Sequence, residues 1–196
     1  MILPILAYGD PILRKKGKEI DKDFPKLGEL LDNMFETMYK SLGIGLAAPQ
    51  IGLPIKLFIV DASPFEDDES LSEDERTYLS TFKQVFINAK IIDEYDDEWA
   101  FNEGCLSIPD IREDVFRNAT IKIEFLDENL KKQIKEFNGI AARIIQHEYD
   151  HTEGIMFTDK LSPLKRRLIK GKLDNISKGK IEVDYRMRFP KANKKR

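Results

Sequence analysis

Residues 144–154 read "IIQHEYDHTEG" and contain the chain's only two histidines, His147 and His151, one helical turn apart. Ile140, Ile144, His147, Glu148 and His151 fall at offsets of 0, 4, 7, 8 and 11 from Ile140, which is one face of a helix. Imidazoles at i and i+4 reach the same metal ion, and a buried pair without such a partner would be costly. Glu148 sits beside the first histidine, spaced to reach a water at the ion rather than to ligate it. A catalytic site of this kind needs a third protein ligand and an open position. The extended pattern with a third histidine fails, because Phe157 stands where that histidine would be. A downstream carboxylate or Cys105 remains as a candidate, although Cys105 taken alone reads as a small buried hydrophobe.

Outward from this helix the chain organises itself without internal repeats. Toward the N-terminus, "DFPKLGELLDNMFETMYKSLG" predicts an amphipathic helix with Leu27, Leu30, Leu31, Met34 and Met38 on one stripe, Pro25 in the first turn and Gly43 at the exit. "KLFIVDA", "QVFINAKII", "ATIKIEF" and "KKQIKEF" predict strands. The acidic stretch "SPFEDDESLSEDERTY", including residues 64–78, is poor in apolar residues and reads as an exposed insertion that could alter access to a cleft. "SPLKRRLIKGKLDNI" predicts a helix capped by Ser162, with Pro163 in its first turn and Leu164, Leu168 and Leu173 inward. The expectation is an α+β domain: antiparallel or mixed sheets around a central metal-binding helix, with an N-terminal and a C-terminal helix. A length of 196 residues suits a single domain over 1–196.

The 41% hydrophobic and 34% charged composition is that of a soluble globular protein. No apolar run approaches the roughly 20 residues needed to span a bilayer. The opening "MILPILAYGDPILRKK" lacks the basic-then-apolar order of a secretory signal, so a cytoplasmic location is expected. One cysteine excludes an intramolecular disulfide framework. Charge is uneven: residues 1–159 carry a balance of −14 and residues 160–196 one of +11. A basic C-terminal segment from about 160 reads as a solvated tail or as a contact with a polyanion.

Context changes the reading of Cys105. It lies in "NEGCLSIPD", and upstream stands "GIGLAAPQIG", Gly43 to Gly52. With "QHEYDH" these resemble, in order, the three signature motifs of the bacterial-type, iron-dependent peptide deformylases, and the resemblance extends over nearly the whole chain. It implies removal of the formyl group from N-formylmethionyl nascent peptides, with release of formate. Cys105, His147 and His151 match the metal ligands, and Glu148 matches the general acid/base. Gln50, with the backbone N–H of Leu106, matches the pair that polarises the formyl carbonyl. Ile44, Ile140 and Ile144 match the lining of the methionine pocket, with Gly45, Glu103 and Gly104 near it and Arg112 as a contact to the substrate backbone. The implied ion is Fe²⁺, one per chain, with Ni²⁺, Co²⁺ or Zn²⁺ as substitutes. The implied partners are formylated nascent peptides and, through the basic C-terminal segment, the ribosome; no membrane and no DNA are expected. Thr152 departs from the family, which usually has leucine there. Two other readings stay open on residue grounds. One is a metallopeptidase using Asp174 or Glu182 as third ligand; the other is a non-catalytic module with a structural zinc ion.

Overall fold

The computed structural model describes residues 1–190; the tail "KANKKR" lies outside the described residues. Five antiparallel strands form one sheet in the order β2-β3-β4-β5-β6, from Gly45–Ala47, Leu57–Asp61, Lys83–Cys105, Ile108–Leu126 and Lys132–Asn138. A second, two-stranded sheet pairs β1 (Ile5–Leu6) with β7 (Met187–Arg188) in parallel. The helices are α1 (Leu27–Lys40), α2 (Glu73–Ser80), α3 (Gly139–Thr152) and α4 (Pro163–Ser177). The fold is α+β.

The motif helix is α3, and it is almost wholly buried against the large sheet. Ile140, Ile144 and Ile145 pack with Phe58, Phe86, Ile121, Phe125 and Phe137 from β3 to β6. Complete burial explains why polar residues on α3 are confined to positions with partners or chemistry. Leu31, Met34 and Met38 of α1 close a second cluster with Leu57, Ile59 and Ile87 on the other face.

Several local expectations need correction. Helix α1 starts at Leu27 behind Lys26, whose φ is 56°, so Pro25 lies outside its first turn. The left-handed residue at its exit is Leu42 (φ 55°), not Gly43. The Gly43 N–H instead closes on the Met38 carbonyl at 2.9 Å, and an added Cβ there would meet Leu106 Cδ1 at 2.8 Å. Helix α4 turns Ile169, Leu173 and Ile176 inward, whereas Leu164 and Leu168 are 67% and 74% exposed. Of the expected inward trio only Leu173 is buried. The acidic segment is structured: a 3-10 turn at Ser63–Asp67 precedes α2, whose Ser72 cap accepts from Glu75 N. Leu79 anchors α2 in the core and Phe65 packs against the same cluster.

Candidate active site

Strands β4 and β5 run as one long hairpin that turns at Leu106 and Ser107, because Cys105 pairs with Ile108. Helix α3 crosses behind this turn and brings both histidines to Cys105. Donor atoms of Cys105, His147 and His151 all lie within 4.8 Å of one another, and Cys105 Sγ is 3.2 Å from His151 Nε2. Among the described residues no other group of three such side chains converges in this way. The set fits a metal ion on its chemistry: one soft thiolate and two imidazoles make three ligands and leave an open position. His151 is buried, and that burial pushes it well below the ordinary range, toward the neutral form that ligates. Asp174, a possible third ligand in the peptidase reading, lies outside the cluster and pairs with Lys178 at the C-cap of α4.

His147 is oriented from behind. Its Nδ1 lies 2.8 Å from Glu103 Oε2, which leaves Nε2 for the cluster. Glu103 is buried and also accepts from Arg117 Nε at 2.7 Å, Arg117 Nη2 at 3.0 Å and Arg143 Nη1 at 3.1 Å. Burial alone would raise its pKa, but His147 and Arg117 hold it well below the usual carboxylate range. Arg117 continues to Asp150 at 2.6 Å, and Asp150 to Lys160 at 3.3 Å. A line of alternating charge therefore runs from the metal-facing ring toward the surface. Phe157, in the place of the absent third histidine, stacks on His147 with centroids 6.1 Å apart.

Glu148 faces the cleft from α3, and its Oε2 is buried without a partner. Burial pushes its carboxyl up to about 7 against the pull of His147, so near neutrality it can take or give a proton. Gly45 of β2 backs it so closely that an added Cβ would lie 2.5 Å from Glu148 Oε1. That contact, rather than a turn, is why glycine stands there.

Gln50 lies in a 3-10 turn, Ala48–Ile51, that follows β2. Its Oε1 accepts from Ala47 N at 2.8 Å, which fixes the amide so that Nε2 points to Ser107 Oγ (3.3 Å) and Cys105 Sγ (3.5 Å). An open cleft of about 520 Å³ is lined by Gln50, Cys105, Leu106, His147 and Glu148 together with Ile44, Gly45, Glu103, Gly104 and Ile144. Arg112 stands at its rim, held by Asn102 through Nε at 3.0 Å and Nη2 at 2.6 Å. Gly104 leaves room for it: a Cβ would come within 2.8 Å of Arg112 Nη1. Ile140 is different: it packs in the core and does not line the cleft.

Phe65, Phe101, Arg143 and Tyr185 also line the cleft, and none was singled out from the sequence. Arg143 lies one turn before His147 on the same helix face, which is a usable signal. Tyr185, Phe65 and Phe101 carry no local signal, since tertiary packing alone brings them in.

A Cys-His-His cluster with a buried carboxylate at its side, set in an open cleft of an α+β fold, defines a metal-dependent hydrolase. A family model described as Polypeptide deformylase matches residues 2–167. A peptide deformylase of Christiangramia forsetii is 63% identical over 196 residues, the full length of both chains, and one of Flavobacterium johnsoniae is 57% identical, also over both full lengths. The crystal structure of a peptide deformylase from Legionella pneumophila superposes with a TM-score of 0.77 at 34% identity, covering 92% of this chain and 98% of that one. That of Thermus thermophilus gives 0.76 at 34%, covering 90% and 98%. The chain belongs to the polypeptide deformylase family, and it is an enzyme that removes the N-terminal formyl group from nascent peptides. The family is metal-dependent. Among the described residues no helix is long and apolar enough to cross a membrane.

Proposed function

We propose that one Fe²⁺ ion is held by Cys105, His147 and His151 and that a single catalytic unit over 1–196 uses it on formyl-Met peptides in the cytoplasm. The observation that carries this reading is the convergence of those three donors beside the unpartnered Glu148 carboxyl. When bound, the ion acidifies a water and polarises the formyl oxygen. Glu148 accepts a proton from the attacking water and returns it to the departing amine, a double duty suited to a carboxyl pushed up to about 7. Gln50 Nε2 and the Leu106 N–H donate to the formyl oxygen as negative charge gathers on it. Glu103 holds His147 in one tautomer, as outer partners of metal-bound histidines do. The methionine side chain lies against Ile44 and Ile144, with Phe65 and Phe101 closing the wall. Arg112, with Nε and Nη2 occupied by Asn102, offers Nη1 to the substrate backbone.

The preference for Fe²⁺ rests on family resemblance, because thiolate and imidazole also suit Zn²⁺, Ni²⁺ and Co²⁺. The basic C-terminal segment holds the enzyme near ribosomal RNA by phosphate contacts, supported by exposed Arg166, Arg167, Lys170 and Lys172 on α4. The test is purification without oxygen, measurement of bound metal, and assay of formate release from a formyl-Met peptide. One equivalent of iron with turnover supports the reading; full occupancy by another ion with normal turnover and no iron overturns the iron assignment.

A further inference from the structure

Leu106 and Ser107 form the turn between β4 and β5, yet both of their carbonyls are engaged from outside the hairpin. Ser107 O accepts from Tyr8 N at 2.8 Å, and Leu106 O accepts from Tyr185 Oη at 2.7 Å. The two donors come from the two ends of the described chain and are themselves tied together. Ile5 N donates to Arg186 O and Ala7 N to Arg188 O, both at 2.9 Å, in the β1–β7 pairing. Tyr185 stands 79 positions from Leu106 and beyond residue 167, where the family match ends.

We propose that Tyr185 is a positioning residue for the reaction, aiming the Leu106 N–H by fixing the Leu106 carbonyl. The proposal rests on the reading that this N–H donates to the formyl oxygen. The N–H and C=O of Leu106 flank one Cα, and Cys105 is already held in the β ladder. Fixing the carbonyl therefore limits the direction in which the N–H points. A donor held in place before reaction costs no reorganisation as charge develops, so its alignment affects the transition state more than substrate binding. Removing the Tyr185 hydroxyl leaves the ring in place and frees the Leu106 carbonyl, while Tyr8 still holds that of Ser107.

The test is metal-loaded Tyr185→Phe, assayed for formate release from a formyl-Met peptide, beside Gln50→Ala. Removing an oxyanion donor outright costs about 10²–10³-fold, so misaligning one is expected to lower kcat by about 10-fold. KM and metal content should stay at the parental level, and the melting midpoint should fall by no more than about 2–4 °C. In ¹⁵N-labelled enzyme loaded with diamagnetic Zn²⁺ the Leu106 amide resonance should move or broaden relative to the parent. An unchanged kcat in Tyr185→Phe, with Gln50→Ala impaired, overturns the proposal alone. A raised KM at parental kcat also overturns it, since Tyr185 would then act on substrate binding from the cleft wall and not on the Leu106 N–H. Parental kcat in Gln50→Ala takes down the oxyanion reading and this proposal with it.

Discussion

Gly45→Ala is a one-carbon change with a large expected effect. The new Cβ would lie 2.5 Å from Glu148 Oε1 and 2.7 Å from its Cγ and Cδ. Glu148 is 5% exposed on a buried helix, so it has little room to retreat. Regaining ordinary van der Waals separation requires a shift of roughly 1 Å. A misplacement of about 1 Å in a reacting group costs about 10²-fold in rate. The variant should bind metal at parental stoichiometry while kcat for formate release falls about 10²-fold. Overpacking adds a stability loss of about 1–3 kcal/mol, visible by thermal denaturation. Gly171→Ala is the matched control, because a Cβ there meets nothing within 4 Å inside α4. It should gain roughly 0.5–1 kcal/mol and keep full activity. Parental kcat in Gly45→Ala, with the crowding confirmed by a crystal structure, would show that the placement of Glu148 does not control turnover and would refute the argument.

Glu148→Ala should retain its metal and lose about 10²–10⁴-fold in kcat; stoichiometric loss of metal instead would make Glu148 a ligand. Cys105→Ala, purified anaerobically, should lose metal affinity, whereas the carboxylate-ligand reading requires it to stay loaded and active. For the parental Fe²⁺ enzyme, activity should decay in air with oxidation of Cys105 detectable by mass spectrometry, and Ni²⁺ substitution should slow the decay. In α4, Leu173→Ala should cost about 2–5 kcal/mol and Leu168→Ala no more than about 0.5, as read from denaturant midpoints. Neutralising Arg166, Arg167 and Lys170 should weaken ribosome co-sedimentation and flatten its salt dependence while small-peptide turnover is kept; unchanged co-sedimentation favours a merely solvated segment.

What could be read in advance divides along physical lines. Helix α3 was legible because its period, its apolar face and its chemistry coincide on one short stretch. Strand β5 was legible where Ile121, Ile123 and Phe125 alternate against a core. The far half of β4 was not: residues 93–98 are almost all acidic, and they hold strand geometry through pairing with β5 rather than by burial. Asn88 and Asp96 take left-handed backbone near register shifts, a feature no periodicity shows. In α4 two apolar stripes compete, and docking beside Leu13, Met156 and Phe157 selects Ile169, Leu173 and Ile176 over Leu164 and Leu168. In the site, the spacing of His147 and His151 announced a metal, whereas the order of three motifs, not any residue alone, raised Cys105 and Gln50. Glu103 stood out only as a neighbour of the pocket; its contacts to His147, Arg117 and Arg143 depend on three elements meeting.

The pairing of Ile5 with Met187 joins positions roughly 180 residues apart, and that separation has a consequence in time. At about 5–20 residues per second, Met187 follows Ile5 from a ribosome by roughly 10–40 s. Through that interval the first strand has no edge to join. Helix α3 and the long hairpin, whose contacts are nearer in sequence, can assemble before it. The Leu106 carbonyl then waits for Tyr185. An enzyme that acts on emerging chains thus receives one of its own last supports only once its distal strand has itself emerged.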